Sequence, residues 1–184
     1  MNLLLVCQER CLVRDNLDGL RDLACCLTQC MPNLKDLEAP GFPSGNAGAW
    51  FLPALHLPLR SLHLCSGCSA LSPEACASLG ALTGLQHLTL QIRIKSFSPL
   101  SGLTNLTSLH YNNGIVRMGP ELCASLGALT SLQHLTLNAY IPSFSPLSGL
   151  TNLTSLCVLH YNVPLHDSCR DFADLNSLLA NCQR

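Results

Sequence analysis

The sequence predicts an α/β solenoid, and three observations carry that reading. A block of the chain occurs twice, 47 residues apart: Cys76 to Gln91 reads CASLGALTGLQHLTLQ and Cys123 to Asn138 reads CASLGALTSLQHLTLN. Ser96 to Leu109 (SFSPLSGLTNLTSL) returns letter for letter as Ser143 to Leu156. Both copies are built on Leu-x-x-Leu-x-Leu, the spacing of a strand that sends its leucines to one side. One such coil cannot bury its own leucines, so coils must stack and their strands must form a parallel sheet. The expected form is right-handed, with the sheet on the concave side and short helices or 3₁₀ turns on the convex side.

Taking the first Leu of each motif as a marker, strands open at Leu34, Leu59, Leu85, Leu106, Leu132 and Leu153, at spacings of 25, 26, 21, 26 and 21. That gives about six coils. In Leu85-Gln86-His87-Leu88-Thr89-Leu90 the three Leu point to the core, and Gln86, His87 and Thr89 point to solvent. Long and short coils alternate. In a long coil Ser72-Pro73-Glu74 opens a run in which Cys76, Leu79 and Leu82 recur about once per turn. Ser suits the N-cap, Pro the first helical position and Glu the positive helix end, so a two-turn helix is expected. Gly119-Pro120-Glu121 opens its equivalent. In a short coil Ser98-Pro99-Leu100-Ser101-Gly102-Leu103 has room only for a 3₁₀ turn or one helical turn.

These motifs resemble the leucine-rich repeat. The longer repeats are similar to the ribonuclease-inhibitor-like, cysteine-containing class, and SPLSGLTNLTSL is similar to the short repeats of bacterial internalins. The resemblance runs from about Leu34 to Asn162. It implies a fold and leaves function open, because this family includes inhibitors, receptors, ubiquitin-ligase adaptors and scaffolds. The pattern departs from the family at the ninth position, where Gly67, Arg93, Gly114 and Tyr140 stand in place of the usual Asn or Cys. Cys68 lies one place late. The last strand carries three extra residues, since Leu109-His110-Tyr111-Asn112 corresponds to Leu156 followed by Cys157 to Asn162, and a bulge or register shift is expected there.

The ends differ from the middle of this single domain. Residues 1–33 form an N-terminal cap region, in which Leu17, Leu20, Leu23, Leu27 and Met31 lie at helical spacing before the strand at Leu34. Residues 34–162 are the repeats. Residues 163–184 are expected to be a closing helix with Phe172, Leu175, Leu178, Leu179 and Cys182 on one face. Ala39 to Pro58, rich in Pro and Gly, reads as an irregular convex loop with a helical piece near Trp50.

Charged residues are 11% of the chain, well below the usual ~25%. Only six lie in the solenoid body: Arg60, Glu74, Arg93, Lys95, Arg117 and Glu121. A net charge of −1 with no basic run argues against a nucleic-acid surface. Met1 to Cys7 is apolar but too brief for a signal-peptide core or a membrane span, and reads instead as a degenerate first strand. A soluble cytoplasmic protein with no membrane contact is expected. Twelve Cys suit reduced thiols in such a compartment, with Cys76 and Cys123 filling small apolar core positions. Asn105-Leu106-Thr107 and Asn152-Leu153-Thr154 match a glycosylation sequon, but both fall inside the repeat motif.

The main candidate site is the concave strand face, expected to bind a protein partner through Arg60, His63, Gln86, His87, Thr89, Gln91, Thr107, Ser108, His110, Asn112, Gln133, His134, Thr136 and Asn138. Ser61 shares that face. Neutral polar side chains donate and accept hydrogen bonds at low desolvation cost. Tyr111 and Tyr161 fall at core-facing positions. A second candidate is a histidine row, His63, His87, His110 and His134, in which His87 and His110 approach across neighbouring strands without an accompanying Asp or Glu. A third is the cysteines: Cys65-x-x-Cys68 has zinc-ligand spacing, with Cys7, Cys11, Cys25, Cys26 and Cys30 upstream. No second C-x-x-C follows, and Cys26 and Cys30 lie one helical turn apart as core residues would, so no metal site is assigned. No cofactor is implied. The body between Pro40 and Val163 holds no Asp and only Glu74 and Glu121, both at helix starts, which does not furnish the acid–base pairs that catalysis uses. The reading is a non-catalytic protein–protein interaction module, an adaptor or receptor-like scaffold. Two alternatives stand beside it: a metal- or redox-responsive cysteine-rich protein, and a truncated, duplicated repeat chain with no evolved ligand.

Overall fold

Each marker leucine closes a tight turn just before its strand opens. The amide of Leu34 donates to the carbonyl of Met31, and Leu85, Leu106, Leu132 and Leu153 donate likewise to Leu82, Leu103, Leu129 and Leu150, at 3.0–3.2 Å. The strand proper begins two residues later. The computed structural model describes residues 2–4, 17–40, 51–52, 57–141 and 144–159. Within these run β1 (Asn2–Leu4), β2 (Asp36–Pro40), β3 (Ser61–Ala70), β4 (His87–Arg93), β5 (Ser108–Arg117), β6 (His134–Tyr140) and β7 (Ser155–Val158). They pair in chain order into one seven-stranded sheet, and every pairing is parallel. All six expected strands are present, and the apolar N-terminal stretch supplies β1 as a further one.

The coils are locked by a repeated hydrogen-bond device. Two successive amides of each coil donate to one carbonyl of the coil before: Gln86 and His87 to Arg60, Thr107 and Ser108 to Gln86, Gln133 and His134 to Thr107, Thr154 and Ser155 to Gln133, at 2.8–3.0 Å. Behind the sheet the marker leucines Leu34, Leu59, Leu85, Leu106, Leu132 and Leu153 are all at 2% exposure or less. Leu64, Leu90, Tyr111 and Leu137, the last inward residues of their motifs, are fully buried. Tyr111 is thus in the core as its register predicts, its ring edge-on to Phe97 at 5.1 Å between centroids.

The return paths alternate as expected. Helix α2 (Pro73–Gly80) starts at Ser72, whose hydroxyl accepts from the Ala75 amide at 3.2 Å. Helix α3 (Pro120–Leu126) starts at Gly119, which has no side-chain cap. The short coils return through 3₁₀ turns at Ser98–Gly102 and Ser145–Gly149. Gly80 and Gly127 let helix and turn touch: a Cβ on either would stand 1.9 Å from the carbonyl oxygen of Pro99 or Pro146. Ser125 adds a buried tie, its hydroxyl accepting from the Phe97 amide at 2.9 Å and donating to the Leu122 carbonyl at 2.8 Å.

The family's ninth-position Asn is replaced by other polar links between coils. Asn105 donates from Nδ2 to the Thr83 carbonyl at 2.9 Å, and Asn152 to that of Thr130 at 2.8 Å. The hydroxyl of Ser131 reaches the Leu106 carbonyl at 2.9 Å. The amide nitrogens of both sequon asparagines are therefore committed to the framework.

The β6–β7 register runs evenly to Leu137↔Val158, and His160 to Asn162, which complete the segment where a bulge or register shift is expected, lie outside the described residues. Irregularities occur in β3, between Cys65 and Ala70, and in β5, between Asn112 and Arg117; each strand takes three residues more there than the neighbour it pairs with. The expectation for Cys26 and Cys30 is corrected. Helix α1 (Leu17–Cys30) buries Ala24 and Leu27 but leaves Cys25, Cys26 and Cys30 exposed, so these thiols do not pack in the core. Cys76 and Cys123 do, and burial pushes both thiols up, Cys76 to about 11. The expected closing helix at 163–184, residues 41–50 and 53–56 of the expected 39–58 loop, Cys7, Cys11 and Tyr161 lie outside the described residues, while Ala39 and Pro40 of that loop instead end β2, in register with Leu64 and Cys65.

Candidate functional site: the outer face of the sheet

Strand alternation sends every second residue of β2–β7 outward, and parallel pairing lines these residues up across the coils. Three rows result. The first runs Asp36, Ser61, His87, Ser108, His134, Ser155. The second runs Glu38, His63, Thr89, His110, Thr136, Cys157. In the third, Cys65 pairs with Gln91 and Asn112 with Asn138. Arg60, Gln86, Thr107 and Gln133 flank the first row at the strand entries.

His87, His134, Gln133 and Arg60 are exposed, and the other residues of the expected surface are half-buried. Some do more than face solvent. The Thr107 hydroxyl donates to the Gln86 carbonyl at 3.2 Å, and Cys65 donates to Oε1 of Gln91 at 3.4 Å. Two buried polar atoms on this face, Nε2 of His63 and Oδ1 of Asn138, have no hydrogen-bond partner among the described residues. A buried polar atom of that kind gains from any ligand group that reaches it.

The histidines form a checkerboard. His87 and His134 share the first row with Ser108 between them, and His63 and His110 share the second with Thr89 between them. His87 stands opposite Ser108 and His110 opposite Thr89, so the expected direct approach of His87 to His110 is replaced by a diagonal one. Carboxylates also join the row, contrary to the sequence reading. β2 brings Glu38 alongside His63, with Oε1 at 3.2 Å from Nδ1. Glu38 escapes a reading that begins at the repeated block, because its own coil carries a Leu-x-x-Leu-x-Ala variant. His110 is held below the ordinary histidine range, first by burial and then by the charge of His63 two strands away. Among the described residues no group of three His, Cys, Asp or Glu is placed to hold a metal ion. Cys65 faces this surface; the side chain of Cys68 is not among those described.

No protein-family profile matches the chain, and no curated protein does. Among solved structures it is similar to internalin C2 from Listeria monocytogenes str. 4b F2365, with 25% identity over 74% of this chain and a TM-score of 0.48. It is also similar to an internalin, inlF, from the same organism, with 17% identity over 80% of this chain and a TM-score of 0.37. This chain covers 57% of the length of each. No helix among the described residues is long and apolar enough to cross a membrane. The stacked parallel strands, the inward leucines at every marker position and the alternating helical and 3₁₀ returns make the fold a leucine-rich-repeat solenoid.

Proposed function

We propose that this chain is a non-catalytic protein-binding module, and that its partner lies on the outer face of the sheet. The observation that carries the reading is the three aligned rows of His, Ser, Thr, Gln and Asn on a rigid parallel sheet. Such a face offers many hydrogen-bond donors and acceptors, and its strands hold them in place before binding, which lowers the ordering cost of association. The rows hold little charge beyond Asp36 and Glu38 at one end. Recognition then depends on hydrogen-bond geometry more than on long-range steering. Few large aromatic anchors lie on this face, which favours modest affinity. An intracellular adaptor or scaffold role suits these properties, with no nucleic acid, membrane or cofactor taking part.

The test is affinity capture from the source cell's lysate with wild type and with His87→Glu/His134→Glu. Both histidines are exposed in one row, so the substitutions leave the core untouched and circular dichroism should be unchanged. The reading expects a partner retained by wild type and weakened at least about tenfold by the double substitution, since two new charges must be desolvated in the interface. A partner held equally by both proteins would move the site off this face.

A further inference from the structure

The ladder between β4 and β5 stops early. These strands pair from His87↔Ser108 to Leu90↔Tyr111 and no further. On either side pairing resumes beyond that level, with Ala70 opposite Arg93 and Arg117 opposite Tyr140. Two ribbons, β3–β4 and β5–β6, thus separate at their C-terminal ends. A cavity of about 440 Å³ lies in the opening, with Arg93, Ile94 and Lys95 on one wall and Arg117 and Glu121 on the other. That volume is in the range of small-ligand sites.

The charge of this cavity is out of keeping with the rest of the solenoid. The body between Pro40 and Val163 has four cations, and three of them, Arg93, Lys95 and Arg117, line it. Against them stands one carboxylate, Glu121, and among the described residues none of the three forms an ion pair with it. The guanidinium of Arg117 is already oriented: it lies 4.8 Å from the centroid of the Tyr140 ring and reaches the Tyr140 hydroxyl at 3.5 Å. Stacking of this kind fixes the guanidinium plane while leaving its other donors available.

The duplication marks the same place. Residues 76–109 and 123–156 differ at Gly84/Ser131, Gln91/Asn138, Ile92/Ala139, Arg93/Tyr140 and Lys95/Pro142 and nowhere else. Four of those differences fall within residues 91–95, and two of them, Arg93 and Lys95, line the cavity. The block boundary repeats the pattern, since Arg117 corresponds to Ala70 one block earlier. All three cations of the cavity, Arg93, Lys95 and Arg117, thus stand at positions where the two copies have parted.

We propose that this cavity is an anion site that takes a phosphate monoester group. Three cations and one carboxylate leave an excess of two positive charges, which a phosphate monoester near −2 neutralises. The forked donors of Arg93 and Arg117 suit its oxygens, and Lys95 adds a compact charge. No basic stripe extends from the cavity, so the site accommodates one phosphate group and not a nucleic-acid backbone. The group can arrive on a small molecule or on a phosphorylated side chain of a protein. The site stands apart from the outer-face reading, and either can fail alone.

The test is titration with phenyl phosphate in low-salt buffer, followed by calorimetry and by amide NMR shifts. Wild type should bind saturably, with shifts centred on Arg93 to Lys95 and on Arg117 to Leu122. Arg93→Ala/Lys95→Ala should weaken binding about tenfold or more, because both charge-assisted contacts are lost. Glu121→Gln should tighten it severalfold. Arg60→Ala, which removes the fourth cation, on the outer face away from the cavity, should leave phenyl phosphate binding unchanged. All four positions are exposed, so the variants should keep the wild-type circular dichroism. Absence of saturable binding, or equal weakening by Arg60→Ala and by Arg93→Ala/Lys95→Ala, would overturn the proposal. A neutral peptide carrying one phosphoserine, bound tenfold tighter than phenyl phosphate, would assign the group to a protein partner; equal affinities would assign it to a small molecule.

Discussion

His110 sits in the middle of the second outward row, between the Thr89 and Thr136 strands, where burial and the nearby His63 both disfavour its charged form. The sign of the consequence is fixed. In the unfolded chain the imidazole takes a proton at its ordinary value of about 6.5, whereas in the folded chain it resists until a lower pH. Its contribution to stability is therefore fully present above about 6.5 and is lost as pH falls through the lowered folded value. The thermal midpoint should drop between pH 7.5 and pH 5.5, and His110→Gln should show a smaller drop. An equal drop in both proteins would mean that other groups govern the acid limb. Other single residues act through the framework. Asn105, Asn152 and Ser131 each join one coil to the previous one by a side-chain hydrogen bond, a contribution of about 1 kcal/mol apiece.

At the scale of the element, the alternation of long and short coils follows from how the convex layer packs. A helix in one coil must lie against a 3₁₀ turn in the next, and glycine at Gly80 and Gly127 makes the approach possible. Gly80→Ala would place a methyl 1.9 Å from the Pro99 carbonyl oxygen, a backbone atom that no rotamer change can move aside. Overpacking of this kind costs about 1–3 kcal/mol, so the denaturant midpoint should fall while the m-value holds. A midpoint equal to wild type would show that helix α2 shifts freely on the turn. These elements were legible in the sequence because their signals are local. Ser72-Pro73-Glu74 specifies a helix start, Ser98-Pro99 a short turn, and Leu-x-x-Leu-x-Leu a strand. What the sequence hid depends on neighbours. The irregularities in β3 and β5 are relations between two strands, and no pattern within one strand reveals them. The exposure of Cys26 and Cys30 likewise depends on which face of α1 meets the first coils, and the narrow apolar stripe through Ala24 and Leu27 leaves both cysteines outside it. Glu38 joined the candidate site only because β2 pairs in register with β3.

At the scale of the whole molecule, stacking converts a one-dimensional repeat into two different surfaces. The sheet face is polar, nearly neutral and held rigid by the ladder between coils. The rim where β4 and β5 part is cationic and concave. The core between them is a continuous column of leucine from Leu34 to Leu153, so each coil depends on its neighbours and stability is shared along the stack. The sequence made this architecture legible because the leucine period is fixed by the coil itself. It left the rim unread, because Arg93, Lys95 and Arg117 are brought together by separate coils. The most direct measurement of the central account places a photo-crosslinking residue at His87, on the sheet face, or at Ser101, on the 3₁₀ turn of the opposite side, and irradiates each protein in the source cell's lysate. The account predicts a discrete crosslinked species from position 87 and none from position 101. A species from position 101 alone, or none from either, would contradict it.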